Sequence, residues 1–366
     1  MKFSHIPMVR PISNLPFANQ LASSLSHSIS NLTLPNSQFP TRNPKSQISN
    51  PRSQISTPGP IIAIGDLVAD LIVSIPSLPV EAGQHQLADA IRLEPGGGAN
   101  FLIAGARLGY PMAAIGALGA DTWGQQVADL IQAEGVDLSG VTFEGATTQV
   151  VVLVDHRGEH VFLGKYGQGG KMSLGLAEVG LIKKGTAIYC AGYSLNETRL
   201  VELTLEAMRL ARRSGVPVFF DPGPQIAGVP AGLRQQVLPL IDTLLLTEEE
   251  IPLLTSGPVT DLIKTGPQTI VVKRGPKGCN IYTQADQAPL EAPAYPVTVV
   301  DTAAAGDSFN AAFIVGALWG WSLPDCARLA NAVGAAKVKK LGGGRNVPTL
   351  ADVRDIIAEF QIGLVI

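Results

Sequence analysis

Asp301-Thr302-Ala303-Ala304-Ala305-Gly306-Asp307-Ser308-Phe309-Asn310 is the stretch that decides how this chain is read. The apolar residues 297–300 precede it, and Ala311, Ala312, Ile314, Val315 and Leu318 follow at helical spacing. The pattern predicts a strand, a tight turn and a helix start. Ala304, Ala305 and Gly306 have side chains too small to keep an anion from their backbone N–H groups, and a helix dipole favours negative charge there. Such a turn can seat a γ-phosphate. At its mouth stands Asp307, placed to take the proton of an attacking alcohol as a phosphoryl group is transferred. The same residues also read as an Asp-Ser helix cap beside packed alanines.

A second stretch, Pro95-Gly96-Gly97-Gly98-Ala99-Asn100, precedes a helical pattern containing Phe101, Leu102, Gly105 and Leu108. Consecutive glycines let backbone approach a ligand, and Asn100 offers one acceptor and two donors to hydroxyls. Taken alone, it is also a flexible turn capped by asparagine. Together and in this order, the two stretches resemble the two signatures of the ribokinase-like (pfkB) carbohydrate kinase family, in register from about residue 61 to the C-terminus. The resemblance implies an α/β fold, with a mostly parallel central sheet, helices on both faces and a small β-strand lid. It implies ATP as phosphoryl donor, Asp307 as base, and Ala304, Ala305 and Gly306 as anion hole.

Other positions fit the same template. Gly65-Asp66-Leu67-Val68-Ala69-Asp70 follows a strand pattern at residues 61–64, and the resemblance makes Asp70 a sugar-binding acid, in a clamp with Gly96, Gly97 and Asn100. Gly116-Ala117-Leu118-Gly119-Ala120-Asp121-Thr122-Trp123-Gly124 lacks the Gly-x-Gly-x-x-Gly spacing of a dinucleotide site and reads as a structural turn. Thr247-Glu248-Glu249-Glu250 stands where the family has Asn-x-x-Glu, so Glu250 is implied to hold Mg2+ and phosphates through water, with Thr247 replacing the asparagine. An acidic first helix turn explains it equally. Lys273-Arg274-Gly275-Pro276-Lys277-Gly278 matches the nucleotide loop, giving Lys273 and Gly275 to the nucleotide, while a solvated cationic loop is the alternative. Asn331 falls where the family flanks adenine. A monovalent cation such as K+ is implied at Asp301, Ala303, Gly342 and Asn346, although an inward ammonium from Lys337 or Lys340 would compete with it. Asp221-Pro222-Gly223-Pro224 sits at a strand end facing the expected site, where it either shapes that site or simply turns the chain.

Composition excludes several functions. Hydrophobic residues are 46% of the chain and charged ones 16%, as in a globular protein. Residues 1–60 hold five basic residues and no acidic one, which leaves 22 basic against 30 acidic in residues 61–366 and no basic surface for a nucleic acid. Cys190, Cys279 and Cys326 are far apart, without Cys-x-x-Cys spacing, and read as reduced thiols in a cytoplasmic protein without zinc. His156 and His160 flank a turn rather than sharing a helix face. No apolar run approaches the ~20 residues that span a membrane.

Residues 1–60 are rich in Ser, Pro and Asn, and Asn43-Pro44-Lys45-Ser46-Gln47-Ile48-Ser49 is repeated nearly verbatim as Asn50-Pro51-Arg52-Ser53-Gln54-Ile55-Ser56. This low-complexity extension is expected to be disordered. It shares features with a transit peptide, and also reads as upstream sequence from a misassigned start, although the next methionine after Met8 is Met112. From residue 61 strands and helices alternate, which places ligands at the carboxyl ends of parallel strands. Residues 71–93 and 149–164 interrupt the alternation and read as strands outside that sheet. The resemblance makes them a lid that covers the sugar and pairs with a second subunit as a homodimer, with Glu159 either touching substrate or merely charged on a hairpin.

The expected activity is phosphorylation of a primary hydroxyl of a free sugar or sugar acid. A nucleoside kinase is the alternative, but a base needs an apolar or aromatic slot and the lid segments contain few aromatics, Phe143, Phe162 and Tyr166. A non-catalytic sugar sensor should have lost Asp307 or the small-residue turn, and both are present.

Overall fold

Alternate residues of strand β1 (Ile61–Ile75) face opposite sides of a sheet, and both sides are covered. Ile61 and Ala63 enter one apolar cluster, Ile62 and Ile64 another, and none of the four is more than 5% exposed. A strand buried on both faces reads as an unbroken apolar run, which is how these residues appear in the sequence. The computed structural model describes residues 58–168, 173–286 and 288–366. The expectation of a disordered extension falls, through residue 57, outside the described residues.

After β1 come β2 (Ala90–Gly97), α1 (Gly98–Arg107), β3 (Met112–Leu118), α2 (Thr122–Gln132), β4 (Asp137–Phe143), β5 (Thr148–Asp155) and β6 (His160–Lys165). The chain continues through α3 (Leu176–Lys184), β7 (Ala187–Ala191), α4 (Thr198–Arg213), β8 (Val218–Asp221), α5 (Ala231–Val237), β9 (Thr243–Thr247) and α6 (Ile251–Leu254). It ends with β10 (Thr269–Lys273), β11 (Cys279–Thr283), β12 (Leu290–Ala292), α7 (Ala305–Leu318), α8 (Leu323–Val338) and α9 (Leu350–Glu359). The main sheet is open and ordered β4-β3-β1-β7-β8-β9-β10-β11-β12, parallel as far as β10 and antiparallel beyond it. Phe101 of α1, Val127 of α2, Phe313 of α7, Leu329 of α8 and Val353 of α9 close one face. Ile182 of α3, Leu203 and Met208 of α4 and Val237 of α5 close the other. This is the layered α/β architecture expected.

Two elements differ from the sequence reading. The opening strand does not stop at Ile64: β1 runs 15 residues, its first part parallel to β3 and β7, its second antiparallel to β2 and parallel to β5. With β6 beside β5, these make a separate four-stranded layer, β2-β1-β5-β6. Gly65 marks the handover. Its φ of +148° favours glycine, and a side chain on Gly116 of β3 would overlap its carbonyl oxygen. Residues 297–300 form no strand. The amides of Val300 and Asp301 both donate to the Val338 carbonyl at the end of α8 (2.7 and 3.2 Å), and Val299 and Val300 stay over half exposed. At the end of this run the Val300 amide is held by a carbonyl rather than by a neighbouring strand.

Among the described residues no helix is long and apolar enough to cross a membrane. All three cysteines are buried and unpaired.

Candidate active site

Helix α7 begins at the carboxyl ends of β8 and β10. Its N-cap, Ala304, has φ 58° and ψ 10°, a left-handed conformation costing a non-glycine residue about 1 kcal/mol. The Ala303 amide donates to Asp301 Oδ1 (2.9 Å), and the Ala305 amide to the Thr302 carbonyl (3.1 Å). Ala305 is thus committed to the turn, whereas the amides of Ala304, Gly306 and Asp307 have no backbone acceptor among the described residues. Free amides at the start of a 14-residue helix are able to seat an anion.

Lys273 faces that seat. It lies at the end of β10, 9% exposed, rather than out in the following loop, and its Nζ would lie 3.7 Å from a Cβ placed on Gly306. Asp221, ending β8, holds it through Oδ2 at 2.5 Å. The same oxygen accepts from Asn310 Nδ2 (2.5 Å), which also donates to the hydroxyl of Tyr189 at 3.3 Å, and Oδ1 accepts from the Gly223 amide (2.9 Å). Asp221 therefore both turns the chain and shapes the site. The solvated-loop reading suits only Arg274 and Lys277, which pair with Glu248 at 2.9 and 3.5 Å.

Carboxylates crowd this single ammonium. Burial first, then Asp221, pushes Asp307 up to about 6, while Lys273 and the Asn100 amide pull it down. Asp70 is pushed up to about 7 by burial, Asp307 and Glu94. Glu250, 6% exposed, is raised by burial and Asp221, and its carboxylate takes the Thr247 amide at 2.8 Å. Tyr193, half exposed after β7, is pushed up to about 12 by burial and then by Asp307, Asp221 and Glu250, with Tyr166 beyond them. The sequence reading passes over Tyr193 and the Asn310–Asp221 contact. For Tyr193 the signal was its place just past the carboxyl end of a parallel strand.

The residues that the sequence reading assigns to the sugar gather beside Asp307. Asp70 sits opposite Glu94 in the β1–β2 pair, and a side chain on Gly96 would overlap the Asp70 carboxylate. Gly97 has φ 59° and lies against Val68 and the Asp66 carbonyl. Asn100, 9% exposed, accepts from the Gly344 amide (2.7 Å) and so ties the start of α1 to the loop after α8. Away from this group, Asn331 donates to the Ala292 and Pro293 carbonyls, both at 3.1 Å, and Gly275 lies in an open turn with φ 53°. Glu159 is exposed on the β5–β6 hairpin.

Asp301 joins two segments, since its Oδ2 accepts from the Gly342 amide at 2.5 Å; Asn346 lies in the same loop, its Nδ2 3.6 Å from a Cβ placed on Gly342. Lys337 enters this region fully buried, with Nζ donating to the Lys340 carbonyl at 2.9 Å. Burial lowers its pKa and Asp301 opposes that fall. Lys340 itself turns away to pair with Asp352. A free monovalent ion held by Asp301, Ala303, Gly342 and Asn346 would share the loop with a buried ammonium.

Comparison with known proteins identifies the family and the fold. Residues 60–350 match the pfkB family carbohydrate kinases. Fructokinase-2 of Zea mays is 27% identical over 82% of this chain and 94% of its own length. The structure of Arabidopsis thaliana ribokinase complexed with ribose and ATP is 26% identical, covers 82% of this chain and 99% of that one, and superposes with a TM-score of 0.70. A putative ribokinase II from E. coli in complex with ATP and Mg2+ is 25% identical with the same coverage and a TM-score of 0.74. The chain belongs to the pfkB family of carbohydrate kinases.

Proposed function

We propose that this kinase moves the γ-phosphoryl group of ATP to a primary hydroxyl of a free sugar or sugar acid, with Asp307 as the base. The observation that carries the reading is a convergence: one carboxylate raised to about 6 stands at the amide-bearing start of α7, with Lys273 facing the same helix end and Asn100 beside it. In its ionised form Asp307 accepts the hydroxyl proton. The amides of Ala304, Gly306 and Asp307, with Lys273, offset charge on the transferring phosphoryl group. Asp70, Gly96, Gly97 and Asn100 hold the sugar, and Glu250, Gly275 and Asn331 line the nucleotide side. The layer β2-β1-β5-β6 covers the cleft and keeps water from the phosphoryl group.

Asp221, Glu250 and Asp307 set three carboxylates against one lysine, an excess that suits a divalent cation arriving with the nucleotide. Among the described residues no three His, Cys, Asp or Glu side chains are grouped to hold a metal by themselves. Glu250 would hold Mg2+ through water, with the phosphates supplying other ligands. When bound, Mg2+ neutralises phosphate charge. A second copy of the chain is proposed to meet the outer strand of the lid, where β6 is exposed along its length.

ATP-dependent ADP release, measured over a panel of sugars, sugar acids and nucleosides, tests the reading. Turnover on a sugar or sugar acid supports it. Turnover on nucleosides alone would select the nucleoside alternative, which Tyr193 and Tyr166 favour as two half-exposed aromatics within electrostatic reach of each other. A folded, ATP-binding protein inert on the whole panel would point to a sensor.

A further inference from the structure

Lys337 is the one lysine of the described residues with no exposed surface. Burying an ammonium is costly unless something repays it, and here the compensation is specific. Nζ donates to the Lys340 carbonyl at 2.9 Å, the Asp301 carboxylate favours its charge from beyond direct ion-pair distance while the Lys340 ammonium opposes it, and Lys337 occupies the last turn of α8, where carbonyls point outward. The surrounding segments are tied to the anion seat. Asp301 accepts from Ala303, next to the left-handed Ala304, and from Gly342; the Val338 carbonyl takes two amides from residues 300 and 301; and Gly344 donates to Asn100, beside Asp307.

We propose that the Lys337 ammonium is the resident cation of this loop, a positioning residue that holds Asp301 and residues 337–346 beneath the anion seat so that turnover needs no free monovalent ion. The proposal rests on the kinase reading above. Lys337 touches neither substrate nor phosphate. Its charge sets the backbone that does, so its loss should lower kcat more than it raises the KM for sugar.

The test compares wild type with Lys337→Met, and with Lys337→Gln should the first fail to fold, in sodium buffer with and without about 100 mM potassium chloride. Wild-type kcat is expected to change by less than about twofold on adding potassium, whereas the variant loses about tenfold or more in sodium, keeps its KM for sugar within about threefold, and regains part of the loss in potassium. Melting temperature gives a second readout that needs no turnover: potassium leaves wild type unchanged relative to sodium and raises the variant. Potassium activation of wild type by about tenfold, or a variant fully active in sodium, overturns the proposal. If no sugar is turned over, the sugar-kinase reading fails, and the melting comparison still decides Lys337, since a wild type stabilised by potassium over sodium rejects it.

Discussion

Asp307 is held in a state that costs stability and suits the base role proposed for it. Its carboxylate is raised to about 6 because burial and Asp221 disfavour its charge, so removing that charge should not harm the fold. Asp307→Asn is expected to keep or raise the melting temperature while turnover falls by about 10² to 10⁴, the share of a positioned base. A rate near wild type would remove Asp307 from the mechanism. Lys273 predicts the opposite signature. Its ammonium and Asp221 are only 10% and 13% exposed, so Lys273→Met strands a buried carboxylate and should cost about 3 kcal/mol in denaturant unfolding, with a raised KM for ATP. Unchanged stability would mean that the pair is more solvated than its burial indicates. At this scale the sequence made Asp307, Asn100, Asp70 and Glu250 candidates, because each lies in a short motif whose chemistry is local. It did not show that Lys273, Asp221, Asn310 and Tyr189 form one hydrogen-bonded chain, because they come from four different elements.

The element whose reading changed most is β1. Gly65 looked like the end of a strand, yet the apolar residues after it continue the same strand into the second sheet, and only pairing with β2 and β5 could reveal that. Both lid segments were visible as interruptions in the alternation; their sharing of β1 with the core was not. Residues 297–300 failed in the other direction, since an apolar run of strand-like composition finds no neighbouring strand and hangs from the end of α8. The β1–β2 pair also makes a sharp demand at Gly96, where any side chain would overlap the Asp70 carboxylate. Gly96→Ala should therefore push Asp70 out of place and raise the KM for sugar by about tenfold or more, with the KM for ATP nearly unchanged. Equal rises in both constants would show a general loss of structure instead.

Across the whole molecule, charge and exposure act together. Val161, Phe162 and Leu163 of β6 are 41 to 58% exposed, more apolar surface than an unprotected edge strand usually leaves in water. If a second copy covers it, sedimentation should show a dimer at about micromolar concentration and Leu163→Lys a monomer; a wild-type monomer at every concentration would reject the lid as an interface. The pH dependence belongs to this scale too, because Asp66, Asp70 and Asp307 are all raised, to about 6, 7 and 6, chiefly by burial. Between the ordinary aspartate value near 4 and these raised values, the folded chain holds protons that the unfolded chain has released, so stability falls as pH rises through that window. Below it the sign reverses, since Asp155, Asp121 and Asp352 are lowered by hydrogen bonds and lose stabilising charge on protonation. With Asp307 as the proposed base, activity is expected to need its ionised form and to run the other way. Melting temperature is accordingly expected to be higher at about pH 5.5 than at about pH 7.5, while kcat/KM is expected to be lower at about pH 5.5 than at about pH 7.5. A melting temperature that falls together with activity would mean that these carboxylates are not carrying a burial penalty, and the electrostatic case for Asp307 as a poised base would go with it.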